Sequence, residues 1–127
     1  MDGIESLTYD EFLGALHRGT DGLWSLESAI WLLDQHGVWL NYPNIRNYVS
    51  SGYDEAGKIW AGLNIPEIDV AIERGEFVRR DGDISVLRVA MSLYGDYRIS
   101  LRYNVENVTP EDLALIGESL KRACGYF

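Results

Sequence analysis

Trp24-Ser-Leu-Glu-Ser-Ala-Ile-Trp-Leu-Leu-Asp-Gln-His-Gly37 is the stretch on which the reading of the whole chain turns. Leu26, Ala29, Ile30 and Leu33 fall at i, i+3, i+4 and i+7, one face of a 3.6-residue period. Trp24 and Trp31, seven apart, share a second face, with Leu32 between the two. A helix apolar over that much of its circumference is wrapped by other elements rather than laid on a surface. The stretch is therefore expected to be the central core helix. Asp21 or Ser25 would cap its start, and Gly37 would end it in a left-handed conformation. Its Leu26/Ala29/Ile30/Leu33 face should meet the first and last helices, and its tryptophans the aromatic segment that follows.

Upstream, Thr8 and Glu11 have capping-box spacing, and Tyr9, Phe12, Leu13 and Leu16 mark one face of a first helix that ends at His17-Arg-Gly19. Downstream, Pro43 suits the first turn of a short helix carrying Ile45, Tyr48 and Val49. Residues 51–57 read as a loop, Ile59–Leu63 as a brief strand, and Asn64-Ile-Pro-Glu67 as a new helix start. Residues 83–94 admit two readings. Asp81-Gly82 is a hairpin turn signal, yet Ile84, Leu87, Met91 and Tyr94 have helical spacing, and a strand would set Arg88 beside Val86 and Ala90. The helix is preferred. Tyr97, Ile99, Leu101 and Tyr103 alternate with Arg98, Ser100 and Arg102, which predicts a strand over Tyr97–Tyr103. Thr109-Pro-Glu-Asp112 starts a last helix, with Leu113, Ile116, Leu120 and Ala123 along one face.

The fold class that follows is α+β: a mainly helical single domain spanning residues 1–127, with a small antiparallel sheet. A lone strand is not stable, so Tyr97–Tyr103 needs a partner. Ile59–Leu63, Phe77–Arg79 or the same strand of a second copy could serve, the last making a homodimer.

The chain has 127 residues, 46% hydrophobic, with a formal charge of −9. Residues 1–37 hold seven acidic side chains against Arg18 alone, so two-thirds of the excess lies there. Such a segment either solvates one face or complements a basic partner. Nucleic-acid binding is disfavoured, because domains of that kind are basic on the binding side. No apolar run approaches a membrane span. The start lacks a signal-peptide pattern, and the single Cys124 cannot form an internal disulfide, so a cytoplasmic setting is expected.

No catalytic motif emerges. His17 and His36 have no metal-ligand spacing and suit helix C-termini, so neither a metal nor a cofactor is expected. The glycines match no phosphate-binding loop. Adjacent acids such as Asp10/Glu11 and Glu111/Asp112 sit in first helix turns and diverge by about 100° on a helix. What rises above background is Trp39 to Trp60, rich in Tyr, Trp, Asn and Arg. Trp39, Tyr48 and Trp60 read as core aromatics. Tyr42, Arg46, Asn47 and Tyr53 read as contact residues, since such side chains combine area with a polar tip. Asp10 and Glu11 form the candidate acidic contact. A winged-helix reading, with Arg79 and Arg80 in the wing, conflicts with Glu67, Asp69 and Glu73 on its recognition helix.

Ala29–Leu40, then Ile84–Gly95, Ile99-Ser-Leu-Arg102 and the closing Ala123-Cys-Gly125 resemble, over residues 26–125, a group of small uncharacterised proteins of actinobacteria and their phages. The resemblance implies a helix for the second block and brings no activity or site residue with it. The expected function is that of a non-enzymatic binding module, an inhibitor or adaptor acting on a protein partner, a basic one if the acidic face takes part. A DNA-binding regulator and a small enzyme are the competing classes.

Overall fold

The computed structural model describes residues 3–127; Met1 and Asp2, the start of the acidic segment, lie outside the described residues. In chain order the elements are α1 (Tyr9–Gly19), α2 (Trp24–His36), β1 (Val49–Tyr53), β2 (Ile59–Leu63), α3 (Ile65–Glu73), α4 (Asp81–Tyr94), α5 (Leu101–Val105) and α6 (Pro110–Ala123). Short 3₁₀ turns cover Ile4–Ser6, Trp39–Asn41 and Ile45–Tyr48. With 61% of the described residues helical and one two-stranded antiparallel sheet among them, the architecture is mainly helical α+β.

The local start and stop signals act as their chemistry dictates. The Glu11 N–H donates to Thr8 Oγ1 at 3.2 Å while the Thr8 N–H donates to Glu11 Oε1 at 2.9 Å, closing the capping box of α1. The Asn64 side chain accepts from the Glu67 N–H at α3, and Thr109 from the Asp112 N–H at α6. Gly37 ends α2 at φ 76°. The start of α2 departs from expectation. Its N-cap is Leu23 and no side chain caps it: Asp21 lies two residues earlier, in the left-handed region at φ 53°, and Ser25 is already inside the helix.

Helix α2 is the axis of the core, and α4 and α6 pack along it. Ala29, Ile30, Leu32 and Leu33 of α2 are buried with Val86, Leu87, Ala90 and Met91 of α4 and Ile116 of α6. Helix α1 lies chiefly on β2 instead. Gly19 makes this possible, because a methyl group there would overlap the backbone carbonyl of Ala61. The two tryptophans of α2 also face α6 and the C-terminal residues rather than the aromatic segment. Arg122 stacks 4.3 Å above Trp31, and Trp24 meets Phe127 edge-on at 6.2 Å.

The strand expected over Tyr97–Tyr103 is absent. Residues 97–100 are irregular and Leu101 opens the helical turn α5. The alternation arises differently: Tyr97 and Ile99 pack on the core, and the Tyr97 hydroxyl donates to Asp69 at 2.8 Å. Leu101 and Tyr103 are exposed. The sheet is instead β1 with β2, in the register Val49↔Leu63 to Tyr53↔Ile59. The predicted strand Ile59–Leu63 therefore stands, while the helix expected after Pro43 shrinks to Ile45–Tyr48 and then extends into β1. Gly52 faces Trp60 across the sheet, and a Cβ there would lie 2.8 Å from the indole ring. The Asp54 carboxylate accepts from the Ala56 and Lys58 N–H groups, 2.9 Å each, and fixes the hairpin turn. Residues 83–94 are helical, as preferred, within α4. That removes the wing of the winged-helix alternative, since α4 begins at Asp81.

Candidate functional site

Two arrangements of polar side chains stand out, one on the surface and one buried. The surface one is a cleft of about 320 Å³ between the N-terminal segment and residues 40–47. Glu5 and Tyr9 line one wall, and Asn41, Tyr42, Asn44, Arg46 and Asn47 the other. Three of the six residues singled out from the sequence, Tyr42, Arg46 and Asn47, thus share one cleft. Asn47 is exposed. Asn44, at φ 68°, turns the chain so that the 3₁₀ turn carrying Arg46 and Asn47 follows directly.

Tyr42 and Arg46 belong partly to the framework of this cleft. The Tyr42 ring packs 5.3 Å from Trp39 and 5.5 Å from Phe77, and its hydroxyl accepts from the Val78 N–H at 2.9 Å. The Arg46 guanidinium lies 4.5 Å over Phe12 and donates to the carbonyls of Ile4 (2.9 Å) and Leu7 (2.6 Å). It therefore ties down the N-terminal segment, the opposite cleft wall. The Tyr9 hydroxyl donates to Asp34 at 2.7 Å, and burial, followed by that bond and the Asp34 charge, pushes its pKa well above the usual phenol range.

The remaining predicted residues sit elsewhere or do something else. Asp10 is exposed in the first turn of α1, beside Tyr9. Glu11 is engaged in the capping box, and the backbone and side-chain bonds with Thr8 hold its carboxyl below the usual range. Tyr53 ends β1, half-exposed and outside the cleft lining.

The buried arrangement was not anticipated. His36, the last residue of α2, directs Nε2 to Asp83 Oδ1 at 3.2 Å and Asp112 Oδ2 at 3.5 Å. The His36 side chain is 3% exposed and Asp83 fully buried. Arg79 reaches Asp83 Oδ2 through Nε (3.0 Å) and Nη2 (2.7 Å), and Arg80 Nη2 lies 3.4 Å from Oδ1. The Trp39 indole N–H donates to the Asp83 backbone carbonyl at 2.8 Å. Asp83 and Asp112 are each the third residue of their helix, so both carboxylates occupy positive helix ends and His36 a negative one. Burial opposes ionisation of Asp83, but the Arg80 and Arg79 bonds and charges outweigh it and keep its carboxyl below the usual range.

The expectation that His36 merely meets its own helix dipole is thus corrected: it joins three helix ends. The donor atoms of His36, Asp83 and Asp112 lie within 4.8 Å of one another, close enough for one divalent cation. Both Asp83 oxygens, however, already face guanidinium groups. A cation there would share its carboxylate with Arg79 at 2.7 Å, so the geometry is that of an ion-pair hub. Nothing in the sequence signals it, because the three residues are 29 to 76 positions apart and each has an ordinary local role. No helix among the described residues is long and apolar enough to cross a membrane. Compared with family models, curated proteins and solved structures, the chain matches none.

Proposed function

We propose that this chain is an acidic binding module that takes a basic segment of a partner protein into the cleft between its N-terminal segment and residues 41–47. The observation that supports this is the lining itself: Glu5, Tyr9, Asn41, Tyr42, Asn44 and Asn47 border one polar opening, and Arg46 is turned inward. The Glu5 carboxylate is then the exposed negative charge beside asparagines that can pair with peptide amides, and Asp10, exposed next to Tyr9 in the first turn of α1, adds to the acidic field outside the lining. Lys or Arg on the partner supplies the complementary charge, and steering by the acidic first 37 residues speeds encounter. The module works by occupying a surface, as an inhibitor or adaptor does, in the cytoplasm, where its single cysteine stays reduced.

The test is selection of a random peptide library on the immobilised protein, followed by titration of the enriched peptides into isotope-labelled protein. Enrichment of Lys and Arg, with amide shifts at residues 41–47 and at least a tenfold loss of affinity in Glu5→Lys/Asp10→Lys, is expected. Peptides without basic residues, or shifts confined to other elements, would refute the reading. So would salt-sensitive duplex DNA binding lost in Arg80→Ala, which would restore the DNA-binding class.

A further inference from the structure

Helix α6 buries one face and leaves another bare. Ile116 and Ser119 are enclosed, whereas Leu113 is 48% and Leu120 42% exposed. Gly117 and Cys124 are exposed too. Positions 113, 117, 120 and 124 follow i, i+4, i+7 and i+11, so they form one stripe along the helix. Gly117 is the telling member. A glycine inside an exposed helix weakens it relative to alanine, and a Cβ at this position would meet nothing within 4 Å. No contact among the described residues explains its presence.

The stripe reads large, small, large, small: Leu113, Gly117, Leu120, Cys124. Reversed, it reads small, large, small, large. We infer that α6 pairs antiparallel with α6 of a second copy about a two-fold axis, Leu120 of each entering the notch left by Gly117 of the other and Leu113 lying against Cys124. Such an interface is self-complementary, as two-fold symmetry requires.

Charge favours the same occupant and the same direction. The stripe carries no ionisable carboxylate in a chain of net charge −9, so two copies meet there without opposed acids. The antiparallel sense sets the first turn of each α6 beside the last turn of the other and so opposes the two helix dipoles. A parallel pair would set large on large and like charge on like. The contact is a single helix face, so it is small and the dimer is a reversible one. The surface lies on α6, apart from the residues of the cleft, and its fate is independent of the proposed peptide binding.

The test is sedimentation of the full chain over a wide concentration range, with three variants. The wild type shows a concentration-dependent dimer, and Leu120→Lys stays monomeric. Gly117→Ala shifts the equilibrium to monomer while raising the unfolding temperature of dilute protein, two changes of opposite sense that a purely local role of Gly117 would not produce. Leu113→Cys places a thiol opposite Cys124 of the second copy, so mild oxidation yields a covalent dimer. In the wild type the two Cys124 thiols lie roughly 16 Å apart along the pair at 1.5 Å per residue and do not cross-link. A wild type that is monomeric throughout, a dimer unaffected by Leu120→Lys, or no cross-linking of Leu113→Cys above the wild-type level each overturns the proposal.

Discussion

Replacing Asp83 by Asn keeps the shape of a fully buried side chain while deleting the charge on which the hub depends. Removing one member of a buried ion pair costs about 3–5 kcal/mol when the abandoned partner stays buried. Here the partners differ. Arg79 is 36% exposed and Arg80 71%, so both can turn to water, and their loss falls near the value of surface pairs, about 0.5–1 kcal/mol each. His36, 3% exposed, cannot leave, although Asp112 stays 3.5 Å from its Nε2. The expected loss is therefore about 2–4 kcal/mol, a large part of the 5–15 kcal/mol typical of a small domain. Urea unfolding at neutral pH, followed by tryptophan fluorescence, measures it. The pH dependence gives a second readout. The Asp83 carboxyl is lowered in the folded state, so its contribution is present above the unfolded value of about 4 and is lost as pH falls through the folded one. Wild type and Asp83→Asn should thus converge in acid. A loss below about 0.5 kcal/mol, the scale of an ordinary surface change, would refute the hub as a determinant of stability. A gap that persists unchanged into acid would refute its electrostatic origin.

Two further outcomes follow from packing and from the tyrosines. At Gly19 and Gly82 an added methyl group would run into backbone carbonyls, those of Ala61 and Asn107, which cannot rotate away. Gly19→Ala and Gly82→Ala should each lose about 1–3 kcal/mol in the same unfolding assay; neutral substitutions would show that these approaches are not tight. Tyr9, Tyr94 and Tyr97 are raised first by burial, and Tyr48 first by its bond to Glu76. An acid raised in the folded state contributes stability fully below its unfolded value, about 10 for tyrosine, and loses it as pH rises toward the folded one. Stability measured against pH should therefore fall from about pH 10 upward, and less steeply in Tyr9→Phe; an unchanged slope would contradict the burial of Tyr9.

How far the fold could be read ahead depended on the range of the interaction responsible. The ends of α1, α2, α3 and α6 are set within a few residues by Thr8, Gly37, Asn64 and Thr109, so periodicity and cap chemistry locate them. The strand was misplaced because a strand is half of a pair. Tyr97–Tyr103 has the alternation but meets no strand among the described residues, whereas Val49-Ser-Ser-Gly-Tyr53 is polar and glycine-bearing yet pairs with Ile59–Leu63. What qualifies it is nonlocal: Gly52 leaves room for the Trp60 ring, and Asp54 closes the turn. The hub was illegible for the same reason, since Asp83 and Asp112 look like ordinary first-turn acids until α4 and α6 are packed against the end of α2.

The hub and the cleft, though separate in chemistry, are joined by a short mechanical path. His36 ends α2, Gly37 reverses the chain, and Trp39 follows two residues later with its indole N–H fixed on the Asp83 carbonyl. The Trp39 ring supports Tyr42, which also packs on Phe77 and accepts from the Val78 N–H. Tyr42 is thereby anchored in the cleft wall, and Arg46 then clamps the opposite wall through the Ile4 and Leu7 carbonyls. Trp39, read as a core aromatic from the sequence, is fully buried, and Phe77 from beyond the stretch packs against it. The residues of this wall that are exposed at the cleft are Asn41, Asn44 and Asn47, which carry the contacts in the binding role proposed above. A rigid base beneath exposed amide side chains limits the ordering cost of binding, which is the condition under which a small cleft can be selective.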